Sequence, residues 1–117
     1  MIRRIDLNTG EHRSSPLDQT IRLGYLGGVG LSARLMADYD TDLSPLNPGV
    51  PLIVAVGVLT ATGFPGANRV CCYSISPLTG LMAGSWMGGE FGVALAKSGT
   101  LALVLEGKAS EPSIIIV

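Results

Sequence analysis

Charge is what this sequence has least of. Asp, Glu, Lys and Arg make up 15% of its 117 residues, against about 25% in an average soluble domain. The balance is close to neutral, a formal −1 at pH 7. Electrostatics therefore recommends neither nucleic acid nor an anionic membrane as a partner. Long apolar runs are also missing. The longest, Leu52–Ala61, falls well short of the ~20 residues that cross a bilayer. The opening MIRRIDLNTGEHR has basic residues but no apolar stretch of the kind a signal peptide carries. A cytoplasmic location is the default expectation.

Cysteine and histidine are scarce as well. The two cysteines, Cys71 and Cys72, are neighbours, and His12 is the single histidine. Adjacent cysteines across a trans peptide do not suit ordinary disulfide geometry. Two thiols cannot supply the four cysteines of an iron–sulfur cluster, and no spaced zinc motif is present. No metal ligand set is expected within the chain.

What the sequence does have is apolar residues, 47%, with a mean hydropathy of +0.44. A chain of this length is one domain, residues 1–117. Two explanations fit: a Gly- and Ala-rich core with few charges, or a surface meant to be covered by more protein. The second implies self-association or poor solubility of the chain alone. The scarcity of charge peaks between Ala55 and Gly89, where Arg69 is the only charged residue. Short apolar runs alternate there with Gly, Pro, Ser and Thr clusters, as backbone does when it folds closely around something.

Taken in order, Ile2–Leu7 and Glu11–Ser15 read as a hairpin around Asn8-Thr9-Gly10. His12 falls on its exposed return strand. Pro16 and Asp18 open a helix bearing Ile21, Tyr25 and Leu26. Gly24, Gly27, Gly28 and Gly30 interrupt it, and a second helix resumes at Leu31 with Leu31 and Leu35 on one face. Asp42–Gly49 is a Pro-punctuated loop. Leu52–Val56 reads as a strand buried on both faces, and Arg69–Ile75 as another. Ser76–Gly80 turns the chain. Gly88-Gly89 leads into a short helix closed by Lys97 and Gly99. Leu101–Leu105 and Ser113–Val117 then form a final pair of strands. The class is α+β with a mixed, mostly antiparallel sheet.

Three glycine motifs need weighing. Gly28-Val29-Gly30-Leu31-Ser32-Ala33 matches G-x-G-x-x-A, but a dinucleotide site needs a strand before it, and a helix precedes it here. Close packing of two helical segments explains these glycines better. The loop TATGFPGANR, Thr60–Arg69, could hold phosphate or ring acceptors on its N–H groups and on Arg69, or be a plain connecting loop. Ser85-Trp86-Met87-Gly88-Gly89 reads as a second glycine loop, whose N–H groups near Gly89 and Glu90 could face an anion. Trp86 could stack on a planar ligand, although a lone Trp more often fills a core.

The motifs in series say more than any one. L-G-G-x-G-L, G-x-L-T-x-T-x-x-P-G-x-x-R, S-P-L-T-G, M-G-G-x-F-G and L-E-G-K-A follow one another, after the opening IRRIDLNTGE. This series resembles the N-terminal domain of the tungsten-containing aldehyde:ferredoxin oxidoreductases, from Ile2 to Val117. The resemblance implies a β-rich base for a tungsten (or molybdenum) bis-pterin cofactor beside a [4Fe–4S] cluster ligated by residues outside this chain. It implies aldehyde oxidation to carboxylic acids, with ferredoxin as electron acceptor. It implies cofactor contacts from Thr60, Gly66, Asn68 and Arg69 on the first loop, and from Trp86, Met87, Gly88 and Gly89 on the second. The family usually has Arg where Val29 stands, Pro and Gly where Val58 and Ala61 stand, and often Asn or His at Trp86, where a backbone role survives the change. Family members run on for several hundred residues, so a chain or domain carrying the remainder is the implied partner, and this chain alone is not expected to be catalytic. The rival readings are a non-catalytic assembly module or truncated product, and a free-standing phosphate-binding domain.

Overall fold

The computed structural model describes all 117 residues. Six strands form one sheet: β1 (Ile2–Asp6), β2 (His12–Ser15), β3 (Leu52–Val56), β4 (Val70–Ile75), β5 (Met82–Met87) and β6 (Ala102–Glu106). Their order across the sheet is β2-β1-β6-β3-β4-β5. Only β1 and β6 run parallel; every other pair is antiparallel. Helices α1 (Gln19–Tyr25) and α2 (Gly28–Met36) cover one face, and α3 (Glu90–Lys97) covers part of the other. The α+β class and the mostly antiparallel sheet are as the sequence predicts.

β3 organises the core because it is apolar on both faces. Ile53 and Ala55 pack under Leu31, Leu35 and Met36 of α2. Val54 and Val56 point the other way and pack with Leu95 of α3 and with Leu103. A strand flanked on both edges and both faces has no use for polar alternation, hence LIVAV. Helix α1 starts at Gln19, not at Pro16. The Asp18 carboxylate accepts from the N–H groups of Thr20, at 2.8 Å, and Ile21, at 3.3 Å. Those backbone bonds hold its carboxyl below the usual range and satisfy two of the helix's open donors.

Helix α2 begins at Gly28, with Gly30 inside it, and not at the expected Leu31, and three further expectations fail. Ser113–Val117 forms no strand. It is strongly β-prone, but both edges of neighbouring β6 are taken, by β1 and β3. Ile115–Val117 instead lie over Arg3, Ile5 and Leu103. Ser85–Met87 is not loop but the end of β5. Trp86 is not core: it lies on that edge strand and is 56% exposed.

At the far end of β1 and β6, Tyr39 donates a hydrogen bond to Glu106 across 67 positions of sequence. Burial first, and this bond second, push the Tyr39 phenol up to about 12, with Arg4 nearby opposing the rise. A phenol titrating near 10 when unfolded and higher when folded adds stability below pH ~10. That contribution disappears as the pH climbs toward about 12. Because Tyr39 is only partly buried, the expected size is roughly 1 kcal/mol. Urea midpoints of the wild type and Tyr39→Phe, compared at pH 8 and pH 11, check this. The gap between the two proteins should narrow at the higher pH, and an unchanged gap refutes the coupling.

Candidate functional site

The topology gathers one end of the sheet. β3 ends at Val56, β4 begins at Val70 and β5 ends at Met87, with Val56 opposite Val70 and Val70 opposite Met87. The chain leaving β3 and the chain leaving β5 therefore emerge side by side. The first is the 57–69 loop. The second is Gly88-Gly89, which enters α3. The helix junction joins them: Gly27 forms an isolated antiparallel bridge with Gly57, so α2 also starts at this end. Gly92 lies on Val70, a Cβ there meeting the Val70 side chain at 3.5 Å. The first turn of α3 therefore lies against Val70 and the Arg69 backbone, with room for a Cβ at ordinary contact distance.

The 57–69 loop is internally fastened. Thr60 is 6% exposed. Its hydroxyl reaches the carbonyls of Ala67, at 3.1 Å, and Arg69, at 3.5 Å. The Asn68 carbonyl oxygen accepts from the Ala61 N–H at 3.1 Å. Thr60 and Asn68 thus shape the loop from within. Ala61 takes a left-handed φ of +64°, a conformation that favours glycine and stands at the position where the resembled family carries one.

Arg69 precedes β4, is exposed, and takes part in no ion pair. A guanidinium with no partner in an otherwise uncharged stretch reaches water, which removes any need for a partner inside the fold. Around it the backbone is bare. At Gly63, Gly66, Gly88 and Gly89 an added Cβ would meet nothing within 4 Å. Gly89 caps α3 with φ +97° and supplies no side chain to the first-turn N–H groups. Gly27 caps α2 in the same way. Val29 lies exposed in the first turn of α2, so it adds no cation where the resembled family carries an arginine, while Arg22 lines a cavity with Val58 of the same loop.

Of the eight residues named from sequence, the fold brings Arg69, Asn68 and Thr60 together with Met87, Gly88 and Gly89 at this end. Gly66 is at the loop's outer turn, and Trp86 is one residue back along β5 on the face that α2 packs against, beside Cys71. Open glycine surface, helix starts without side-chain caps and an unpaired guanidinium suit an anionic, oxygen-rich planar group, although the Glu90 carboxylate in the first turn of α3 opposes one. They do not make a metal centre: nowhere in the chain do three His, Cys, Asp or Glu side chains come together. The two thiols point to opposite faces of β4, both free, and burial pushes both upward. Sequence reasoning missed the helix junction as part of this end. The signal was the L-G-G-V-G run, whose glycines are spent on the approach to Gly57 and Tyr25.

Comparison with known proteins gives the family. The family model described as aldehyde ferredoxin oxidoreductase, N-terminal domain, matches residues 2–117. The tungsten-containing aldehyde ferredoxin oxidoreductase of Pyrococcus furiosus is 36% identical over 115 residues, 97% of this chain and 19% of that protein. The enzyme of the same name from Thermococcus kodakarensis is 33% identical over 115 residues, again 97% and 19%. Among solved structures, the active site complex BamBC of benzoyl coenzyme A reductase with 1,5-dienoyl-CoA superposes with a TM-score of 0.89 at 33% identity. That match covers 94% of this chain and 17% of the other. The chain thus spans about a fifth of the relatives' length. Nearly full coverage of the chain by the family model, by its relatives and by a solved fold makes it a member of the aldehyde ferredoxin oxidoreductase N-terminal domain family.

Proposed function

We propose that this chain forms one wall of the site for a tungsten or molybdenum bis-pterin cofactor in an oxidoreductase that converts aldehydes to carboxylic acids. The observation that carries the reading is the convergence of the 57–69 loop, Gly88-Gly89 and two uncapped helix starts around an unpaired Arg69. When bound, the cofactor supplies the oxygen-transfer and electron chemistry. The chain's own residues place it. Arg69 offers a planar, bidentate donor to ring or phosphate oxygens. The N–H groups at Gly88, Gly89 and Glu90 offer uncharged donors that approach closely because no Cβ intervenes. Thr60 and Asn68 keep the loop carrying Arg69 in shape. Glu90 is the titratable side chain next to Gly89, and two neighbouring thiols make no four-cysteine ligand set. The [4Fe–4S] cluster, the substrate pocket and the surface that meets ferredoxin belong to the remaining polypeptide. Relatives named for aldehyde oxidation and a structural match named for benzoyl-CoA reduction share this domain. That sharing supports a role in holding the cofactor, with the substrate chosen by the remaining polypeptide.

The test is tungsten, molybdenum and iron content, measured on the purified chain alone and after co-expression with a polypeptide carrying the rest. Tungsten or molybdenum retained at near-stoichiometric level only in the co-expressed assembly supports the reading. Neither metal in that assembly favours the assembly-module reading, which the β5 strand, exposed at every position, also suits. For the chain alone, iron should be near zero, since neighbouring thiols on opposite faces of β4 cannot gather around one cluster. An iron-to-protein ratio near ~4 in a monomer with cluster absorption overturns this.

A further inference from the structure

The sheet has two outer edges, and they differ in kind. β2 is four residues long, reads HRSS, and has an Arg13–Glu11 pair beside it. Short charged edges are how proteins keep solvent-facing strands single. β5 is the opposite: six residues, MAGSWM, uncharged, and exposed at every position. No charged residue occurs between Val70 and Gly89.

The hydrogen-bond phase of β5 shows what it offers. The Ser76 N–H donates to the directly opposed Leu81 carbonyl at 2.9 Å. Bonded and non-bonded pairs alternate along an antiparallel ladder, so Ala83, Ser85 and Met87 bond inward to β4. Met82, Gly84 and Trp86 therefore turn their N–H and C=O groups to the open side. Both faces beside this edge are open as well. Met82 and Trp86 are 46% and 56% exposed on the face of α1 and α2. On the other face Leu52, Cys72, Ala83 and Ser85 line a shallow groove of about 240 Å³. An edge and both flanking faces left bare and uncharged make a template for an added strand.

Two observations identify the occupant. The relatives are about five times longer than this chain, which spans 19% of them. And β5 runs directly into Met87, Gly88 and Gly89, so whatever completes the candidate site abuts the end of this strand. We propose that β5 is the seat of the polypeptide forming the other four-fifths of this family's enzymes. It adds an extended apolar strand along the Met82, Gly84 and Trp86 edge. The proposal rests on the family reading of the site, but it concerns assembly and not the cofactor.

The experiment mixes tagged chain with the part of the Pyrococcus furiosus enzyme outside the matched segment, expressed separately. It reads co-elution, sedimentation and amide hydrogen exchange. The expected result is a one-to-one complex in which the outward amides of Met82, Gly84 and Trp86 become protected. Gly84→Pro, which deletes one outward donor, and Met82→Lys, which charges the edge, should each weaken the complex tenfold or more. Both should keep the exchange protection of β3 and β6 in the free chain. Arg69→Ala should leave the complex intact, so a failed cofactor reading and a failed docking reading give different results. The proposal is overturned if no complex forms, if both β5 variants bind as well as the wild type, or if β5 stays unprotected in the complex. It is equally overturned if β5 in the chain alone becomes protected as concentration rises and excludes the added polypeptide, which would make a second copy the occupant.

Discussion

In the assembled protein, Arg69→Ala is expected to lower retained tungsten or molybdenum cofactor about tenfold or more while leaving the thermal midpoint of the chain nearly unchanged. Arg69 is exposed and without an ion pair. Surface substitutions away from caps, cores and networks stay within about 0.5 kcal/mol. A charge-assisted bond to a bound group is worth roughly 1.5–3 kcal/mol, and each 1.4 kcal/mol is about a tenfold change in affinity. Arg69→Lys keeps the charge but loses the flat two-pronged donor, so retention should fall between wild type and alanine. Metal per mole of protein and a thermal melt on each variant decide it. A chain that unfolds on Arg69→Ala, with cofactor loss tracking stability, makes the residue structural and removes the main support for the proposed site.

Much of this was legible in the sequence because single residues carry it. Arg69 stands out in a charge-free stretch, and LIVAV, bounded by Pro51 and Gly57, reads as a strand covered on both faces. The helix break at Leu26 and Gly27 follows from glycine density. The convergence of loops was not legible, because it depends on sheet order. Only once β4 lies between β3 and β5 do the 57–69 loop and Gly88-Gly89 become neighbours. β5 was hidden for a local reason. MAGSWM has no β-branched residue, and its pairing comes from the unfilled edge of β4 and not from its own preference. The reverse error at Ser113–Val117 has the same root: IIIV has the preference, but both edges of the neighbouring β6 are filled by β1 and β3. Tyr39 and Glu106 lie too far apart in sequence for any pattern to join them.

The helix junction sets up the second large effect. Gly27→Ala should destabilise the chain severely, while Gly24→Ala, three residues earlier, should be neutral or slightly stabilising. At Gly27, φ is +85° and ψ −169°, a region open almost only to glycine, and occupying it costs a side-chain-bearing residue about 1–3 kcal/mol. A Cβ there would also run into the Val56 carbonyl oxygen, with Gly57 Cα at 3.1 Å. Backbone in the central strand has nowhere to move, so overpacking adds about 1–3 kcal/mol more. The total approaches half of the ~5–15 kcal/mol that holds a small domain folded. Gly24 differs in each respect. It is helical and exposed, with nothing within 4 Å of an added Cβ, so alanine gains about 0.5–1 kcal/mol of helix propensity. Thermal melts of the two variants should therefore diverge, with Gly27→Ala lower by about 10 °C or more and Gly24→Ala equal or higher. Because Gly27 bridges Gly57 at the root of the loop that carries Arg69, exchange at 58–68 should quicken in Gly27→Ala before the β1–β6 pairing is lost. If both variants melt together with wild type, the Gly27–Gly57 approach does not hold the fold, and Arg69 is positioned by the loop's own bonds through Thr60 and Asn68.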